Sequence, residues 1–326
     1  MSGNRVTVHR RQGRPPDDDV FERETASGEA AGTRRAVLDL PGLTVGFDAM
    51  DEARHAAFLS WFSPYAADLP AGATATLLLR ARRAGVEHFV SPPPAGRVEY
   101  NPVFLEASPR RGLPGHFTVR ASTYSLAARF STNRAEGDLL ISRAGSERLE
   151  WGMENVMRVA VAWLAVSRGG FLMHAASIER DGRAWLFFGQ SGAGKSTLAA
   201  LSRRGQVISD DLTLLLPGPQ GGLEAVGSPF RGTYREGTPA KGRFPVVAAF
   251  RLKHARPGQT ALVQPLDPSR ALPDAFANLP FVVDQLHASP ELFDSLERAL
   301  RSVPIHLLRF TRHDDSYWDA IEAAAL

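Results

Sequence analysis

The chain has 326 residues, 44% of them hydrophobic and 22% charged, with a net charge of +3. This is the composition of a globular protein long enough for two domains, and so small a charge excess gives no reason to expect a nucleic-acid partner. Cysteine is absent, which excludes disulfides, thiolate metal sites and cysteine nucleophiles. No apolar run reaches membrane-spanning length, and the polar N-terminus lacks the core of a secretory signal, so the expectation is a cytoplasmic protein with no membrane partner.

Residues 1–35 are rich in Gly, Pro, Arg and Asp. They hold too little apolar surface to offset the entropy of ordering and are expected to form a flexible N-terminal arm. Residues 36–145 read as a small α+β domain. Asp51 and Glu52 open a helix-like stretch, and segments such as "ATATLLLRARR", "VEHFV", "HFTVRAS" and "YSLAARFST" alternate as half-buried strands do. His55, His88 and His116 stand at unrelated spacings and suggest locally bonded side chains rather than a metal site.

Residues 146–326 read as a second domain. In "ERLEWGMENVMRVAVAWLAVSRGG", Leu149, Met153, Val156, Ala160 and Trp163 recur at steps of four and three, which predicts a long helix ended by Gly169–Gly170. Two apolar strands, "FLMHAASIE" and "RAWLFFG", flank an "RDG" turn, and mixed strands and helices follow to the end.

The second of these strands runs into Gly189-Gln190-Ser191-Gly192-Ala193-Gly194-Lys195-Ser196, a full match to G-x-x-x-x-G-K-[ST], with Thr197 next. Glycines let a backbone approach a phosphate closely, and a following helix turns its N–H groups toward the anion. Lys195 would reach the terminal phosphates, and Ser196 would place a hydroxyl on Mg²⁺. The choice of cation is informative, because all but three of the 38 basic residues are arginine. A compact ammonium suits this loop where a planar guanidinium does not.

Fifteen residues beyond Lys195, the short strand "VIS" ends in Asp210–Asp211. One helix and one strand separate the two features, so the acids should lie beside the loop, at the strand ends where α/β sheets bind ligands. Two adjacent carboxylates offer a metal ligand and a proton acceptor. Asp314–Asp315 precede the last helix and suit capping instead. His174 lies on the strand before the loop strand, where an isolated histidine is ordinarily a satisfied core residue.

The stretch "LMHAASIERDGRAWLFFGQSGAGKSTLAALSRRGQVISDDLTLL" resembles the catalytic core of HPr kinase/phosphorylase, and the nucleotide site of ATP-dependent phosphoenolpyruvate carboxykinase, which has the same fold. The tail "PIHLLRFTRHDDSYWDAI" is similar to that of bacterial HPr-kinase-related proteins, whose genes often stand near those of peptide modification. The resemblance implies an α/β, P-loop kinase domain of this type behind the α+β domain. It implies ATP and Mg²⁺, and a serine-type hydroxyl acceptor on a peptide or protein. Gly189 to Thr197 would cradle the phosphates, with Lys195 on the transferring group and Ser196 on the metal. Of Asp210 and Asp211, one would be the base and the other a metal partner, with Asp210 favoured as base. His174 would tune the pair, and Arg231 of "SPFRGTY" would stabilise phosphate charge. That segment shares only Arg231–Gly232 with the kinase signature, and the N-terminal half does not match, so HPr itself is not the expected acceptor. The resemblance also admits a homo-oligomer. A nucleotide-binding switch with slow hydrolysis and a small-molecule kinase stay open as alternatives.

Overall fold

In a computed structural model of the chain, the described residues are 7–9, 29–91, 102–143, 149–230, 232, 239–256, 258–286 and 289–324. They divide into two compact units between Ser167 and Arg168.

Among the described residues the first unit is one nine-stranded sheet with two α-helices and a 3₁₀ turn. Its strands are β1 (Thr7–His9), β2 (Arg34–Leu40), β3 (Leu43–Met50), β4 (Ala66–Asp68), β5 (Leu77–Ala84), β6 (Pro102–Pro109), β7 (Phe117–Ser122), β8 (Leu126–Ser131) and β9 (Glu136–Ser142). They lie in the order β1-β6-β7-β8-β9-β5-β3-β2-β4. Alternation sorts each strand between two faces, as in β7, where Phe117, Val119 and Ala121 are buried and the residues between them are half-buried. The apolar face is covered by α1 (Glu52–Trp61) and α2 (Leu149–Val166), through contacts such as Phe47 with Phe58 and Phe117 with Trp163. Asp51 caps α1 by accepting the Arg54 N–H at 3.0 Å.

Three expectations change here. The long helix packs with the first unit rather than opening the second, so the boundary falls after residue 167, not at 145. Its apolar stripe matches the apolar face of this sheet, and burying that stripe outweighs proximity in sequence to the next strands. "VEHFV" forms a 3₁₀ turn over Val86–His88, because only Phe89 of the stretch finds a core to enter while Val86 stays exposed. The arm is shorter than 35 residues: Ala31 N–H donates to the Ala81 carbonyl at 3.1 Å, Arg34–Arg35 open β2, and Thr7–His9 pair with β6. Its remaining residues lie outside the described set, as do residues 144–148 at the expected start of the helix.

The second unit is mixed α/β. Its strands are β10 (Phe171–Arg180), β11 (Arg183–Phe188), β12 (Gln206–Ser209), β13 (Leu212–Pro217), β14 (Leu223–Val226), β15 (Arg243–His254), β16 (Leu262–Pro265) and β17 (Ile305–Phe310). Its helices are α3 (Lys195–Leu201), α4 (Pro268–Phe276), α5 (Pro290–Arg301) and α6 (Tyr317–Ala323). The strands run β11-β10-β13-β14-β15-β17-β16, and a further β11–β15 pairing closes five of them into a ring. Two long strands make this possible. β10 pairs through its first half with β13 and through its second with β11 and β12, and β15 is shared in the same way between β14, β11 and β17.

β10 and β11 form the expected hairpin, with Asp181 and Gly182 at φ 55° and 76° in the turn between them. The core on the loop side is aromatic. Trp318 is fully buried, 5.4 Å from Trp185 at 85°, and its indole N–H donates to Ser202 Oγ at 3.2 Å. The Tyr317 hydroxyl lies 3.4 Å from the Leu198 carbonyl. α6 thus clamps α3, the helix that follows the glycine-rich loop. Before α6, Asp314 accepts the Ser316 N–H at 3.1 Å, a local turn that leads into the helix.

Candidate functional site

The glycine-rich loop connects β11 to α3. Gly192 and Gly194 adopt φ of 83° and 98°, which glycine takes without strain. Gly194 has a second reason to be glycine: a Cβ there would lie 2.6 Å from Phe310 Cζ and 3.0 Å from His254 Cε1. Lys195 starts α3 and folds back over the loop, its Nζ donating to the Gly189 carbonyl at 3.0 Å. The side chain is buried, and desolvation holds its proton affinity below the ordinary lysine value, partly countered by the charge of Asp211. Gln190, Ser191 and Thr197 are exposed, and Ala193 and Ser196 are intermediate, so the loop presents an open rim.

The acidic pair stands beside it. β11 and β12 both run antiparallel to β10 and hence parallel to each other, which brings the end of β12 to the strand edge that carries the loop. Asp210 is 2% exposed, and its Oδ1 accepts the Gly232 N–H at 2.9 Å. Gly232 is close to both acids: a Cβ there would sit 2.8 Å from Asp210 Oδ2 and 3.0 Å from Asp211 Cβ. Ser209 fastens this corner, since its buried hydroxyl accepts the Asp211 N–H at 3.3 Å and reaches the Phe230 carbonyl at 3.4 Å. His174 Nε2 lies 3.3 Å from Asp211 Oδ1 with its side chain 39% exposed, so it is a rim residue and not a buried core histidine. The His174 N–H donates at 2.7 Å to the carbonyl of buried Asn278, just beyond α4.

The structure therefore brings together Lys195, Asp210, Asp211 and His174 at one end of the loop. Arg231 lies outside the described residues, although its neighbour Gly232 sits on the acids. The sequence reading missed three contributors. Gly232 appeared there only as half of a dipeptide, and Asn278 carried no signal. The third is a pair on the opposite flank of the loop, His254 at the end of β15 and Arg312 just beyond β17. Their parallel strand ends were the available clue, but strand order is not visible in a sequence.

The three histidines noted in the first unit behave as local polar groups. His55 pairs with Asp68 at 2.7 Å, His88 with Arg129 at 2.6 Å, and His116 contacts Thr132 at 3.3 Å. Among the described residues no group of three His, Asp or Glu side chains is gathered as a metal cage, and no helix is long and apolar enough to cross a membrane.

The second unit is thus a mixed α/β body with a Walker-type loop sequence between strand and helix and a carboxylate pair at the neighbouring strand end. Residues 141–326 match the family model of the SynChlorMet cassette protein ScmC, and the chain belongs to that family. No curated protein matches it.

Proposed function

We propose that the chain is an ATP- and Mg²⁺-dependent kinase that transfers the γ-phosphoryl group to a serine-type hydroxyl of a peptide or protein. One observation carries the reading: Lys195, Asp210, Asp211 and His174 converge at one end of a glycine-rich loop whose backbone adopts positive φ at Gly192 and Gly194. The peptide or protein acceptor is favoured by the resemblance to HPr kinase.

The residues present suit the metal. Ser196 and Asp211 offer hard oxygen donors, and Mg²⁺ typically takes only one or two ligands from protein, with phosphates and water supplying the rest. When bound, it would neutralise charge on the phosphates. The two carboxylates divide the remaining work. Asp211 faces Lys195 and His174, a position that suits the metal side. Asp210 is oriented by a backbone N–H, which fixes an oxygen without neutralising the charge and suits a proton acceptor. The acceptor oxygen attacks the γ-phosphorus and its proton passes to Asp210. The bond from γ-phosphorus to the bridging oxygen breaks, and ADP leaves. Lys195 balances the charge on the transferring group. His174, touching Asp211 and open to solvent, holds that carboxylate in place.

The test is incubation with γ-labelled ATP and Mg²⁺ and a pool of peptides and small hydroxyl compounds, using wild type, Lys195→Ala and Asp210→Asn. Label should pass to a peptide with wild type only, and Asp210→Asn should retain nucleotide binding while transfer falls by ~10³-fold or more. Full activity in Asp210→Asn would move the base to Asp211. Phosphate release without a labelled acceptor would replace the kinase by a nucleotide switch.

A further inference from the structure

The loop has a second flank, which the acidic pair does not reach. β15 runs parallel to β11, and β17 runs parallel to β15 with His254 opposite Phe310. Their C-terminal ends therefore lie on the same edge as the loop. Taken in sheet order, that edge carries Asp210 and Asp211 after β12, His174 on β10, the loop after β11, His254 on β15, and Arg312 two residues beyond β17. Acids stand on one side of the loop and a planar, basic group on the other.

This flank touches the loop directly. His254 Nε2 lies 3.0 Å from the Gly192 carbonyl oxygen, and the Arg312 guanidinium forks over the same ring, with Nη2 at 2.5 Å from Nε2 and Nε at 3.3 Å from Nδ1. An imidazole nitrogen can donate to a carbonyl or accept from a guanidinium, but not both at once. When His254 donates to the loop, Nε2 no longer accepts from Arg312 Nη2, which is then available to a ligand on the exposed side of the residue, while Nδ1 still accepts from Arg312 Nε. The Phe310 ring, 5.5 Å from that of His254, backs the pair. Two exposed flat side chains, with buried Phe310 behind them, thus stand one and two strand spacings from the loop strand, ~5 and ~10 Å, within reach of the remainder of a nucleotide whose phosphates lie in the loop.

Resting on the kinase reading of the loop, we infer that His254 and Arg312 form the nucleoside subsite. The transferable phosphoryl group then points toward Asp210 and Asp211, and the base stacks on the planar groups of Arg312 and His254. A guanidinium plane is suited to this in a way an ammonium is not, since it presents a flat face and keeps its charge.

The experiment compares equilibrium binding of Mg·ATP and of Mg·tripolyphosphate, which has the phosphates and no nucleoside. It uses the full chain as wild type, Arg312→Ala, Arg312→Lys, His254→Ala and Lys195→Ala. Arg312→Ala and Arg312→Lys should each weaken ATP about tenfold and leave tripolyphosphate within about twofold. His254→Ala should do the same more mildly, and Lys195→Ala should weaken both ligands. Unchanged ATP affinity in Arg312→Ala, equal losses for both ligands, or rescue by Arg312→Lys would each overturn the subsite. If wild type binds neither ligand, the phosphate-loop reading itself fails and the subsite falls with it. Tripolyphosphate binding also reports that the Arg312 and His254 variants remain folded.

Discussion

The two units place their charged residues differently. In the first, a ladder crosses the polar face of the sheet strand by strand. Glu106 is opposite Arg120, Arg120 opposite Arg129, Arg129 opposite Asp138, Asp138 opposite Arg80, and Arg80 opposite Asp48. Opposite charges meet at most steps, and Asp138 is further bonded by Arg82 at 2.9 Å. Such groups stabilise each other across the strands, even where one of them, Asp138, is buried. In the second unit the charged groups stand at strand ends around a loop, and two are buried: Lys195 is desolvated, and Asp210 lies beneath Gly232. A ladder of pairs explains itself structurally. A buried ammonium folded against its own loop, next to two acids, is a local destabilisation that a phosphate ligand would relieve.

This contrast can be broken experimentally, and the largest effect should come from the aromatic clamp that holds the loop helix. Trp318→Ala removes a fully buried indole and should cost about 3–5 kcal/mol in chemical denaturation. An effect below about 1 kcal/mol would mean that α6 does not support α3. Gly232→Ala comes next. Its Cβ would crowd Asp210 Oδ2 at 2.8 Å, and the displaced carboxylate should lower phosphoryl transfer by ~10–100-fold at nearly unchanged melting temperature, as kcat and a thermal melt would report.

In the first unit, Asp138→Asn removes the carboxylate that Arg82 bonds and that stands opposite Arg129 and Arg80 on the neighbouring strands. It should cost about 1–2 kcal/mol and leave transfer kinetics untouched. A loss of kcat there would show that the sheet face takes part in function. The smallest effect tests the cost of burial at the loop. Lys195→Met should raise the stability of the ligand-free protein by about 1 kcal/mol while abolishing transfer. Burial lowers the folded-state proton affinity of Lys195, so the charged side chain destabilises the fold at pH values below its folded pKa. That penalty disappears as pH climbs toward the ordinary lysine value. The advantage of methionine should therefore be full at neutral pH and shrink in alkaline buffer; a gain that grew with pH would contradict the assignment.

What the sequence determined by itself is local. The spacing of the glycine-rich loop, the strand before it, the turn at Asp181–Gly182 and the end of β12 at Ser209 all follow from short-range rules of backbone conformation and apolar periodicity, which act within about a dozen residues. The tertiary structure decided everything that depends on register between distant strands. Only the β11–β15–β17 pairing sets His254 and Arg312 against the loop, across 62 residues in the first contact and 58 in the second. Only the return of the chain after β14 lays Gly232 on Asp210, 22 residues away. The same holds for the helix Leu149–Val166, whose apolar stripe was legible but whose partner was not. Periodicity specifies that a face must be buried; the shape and pairing of the assembled sheets decide against what.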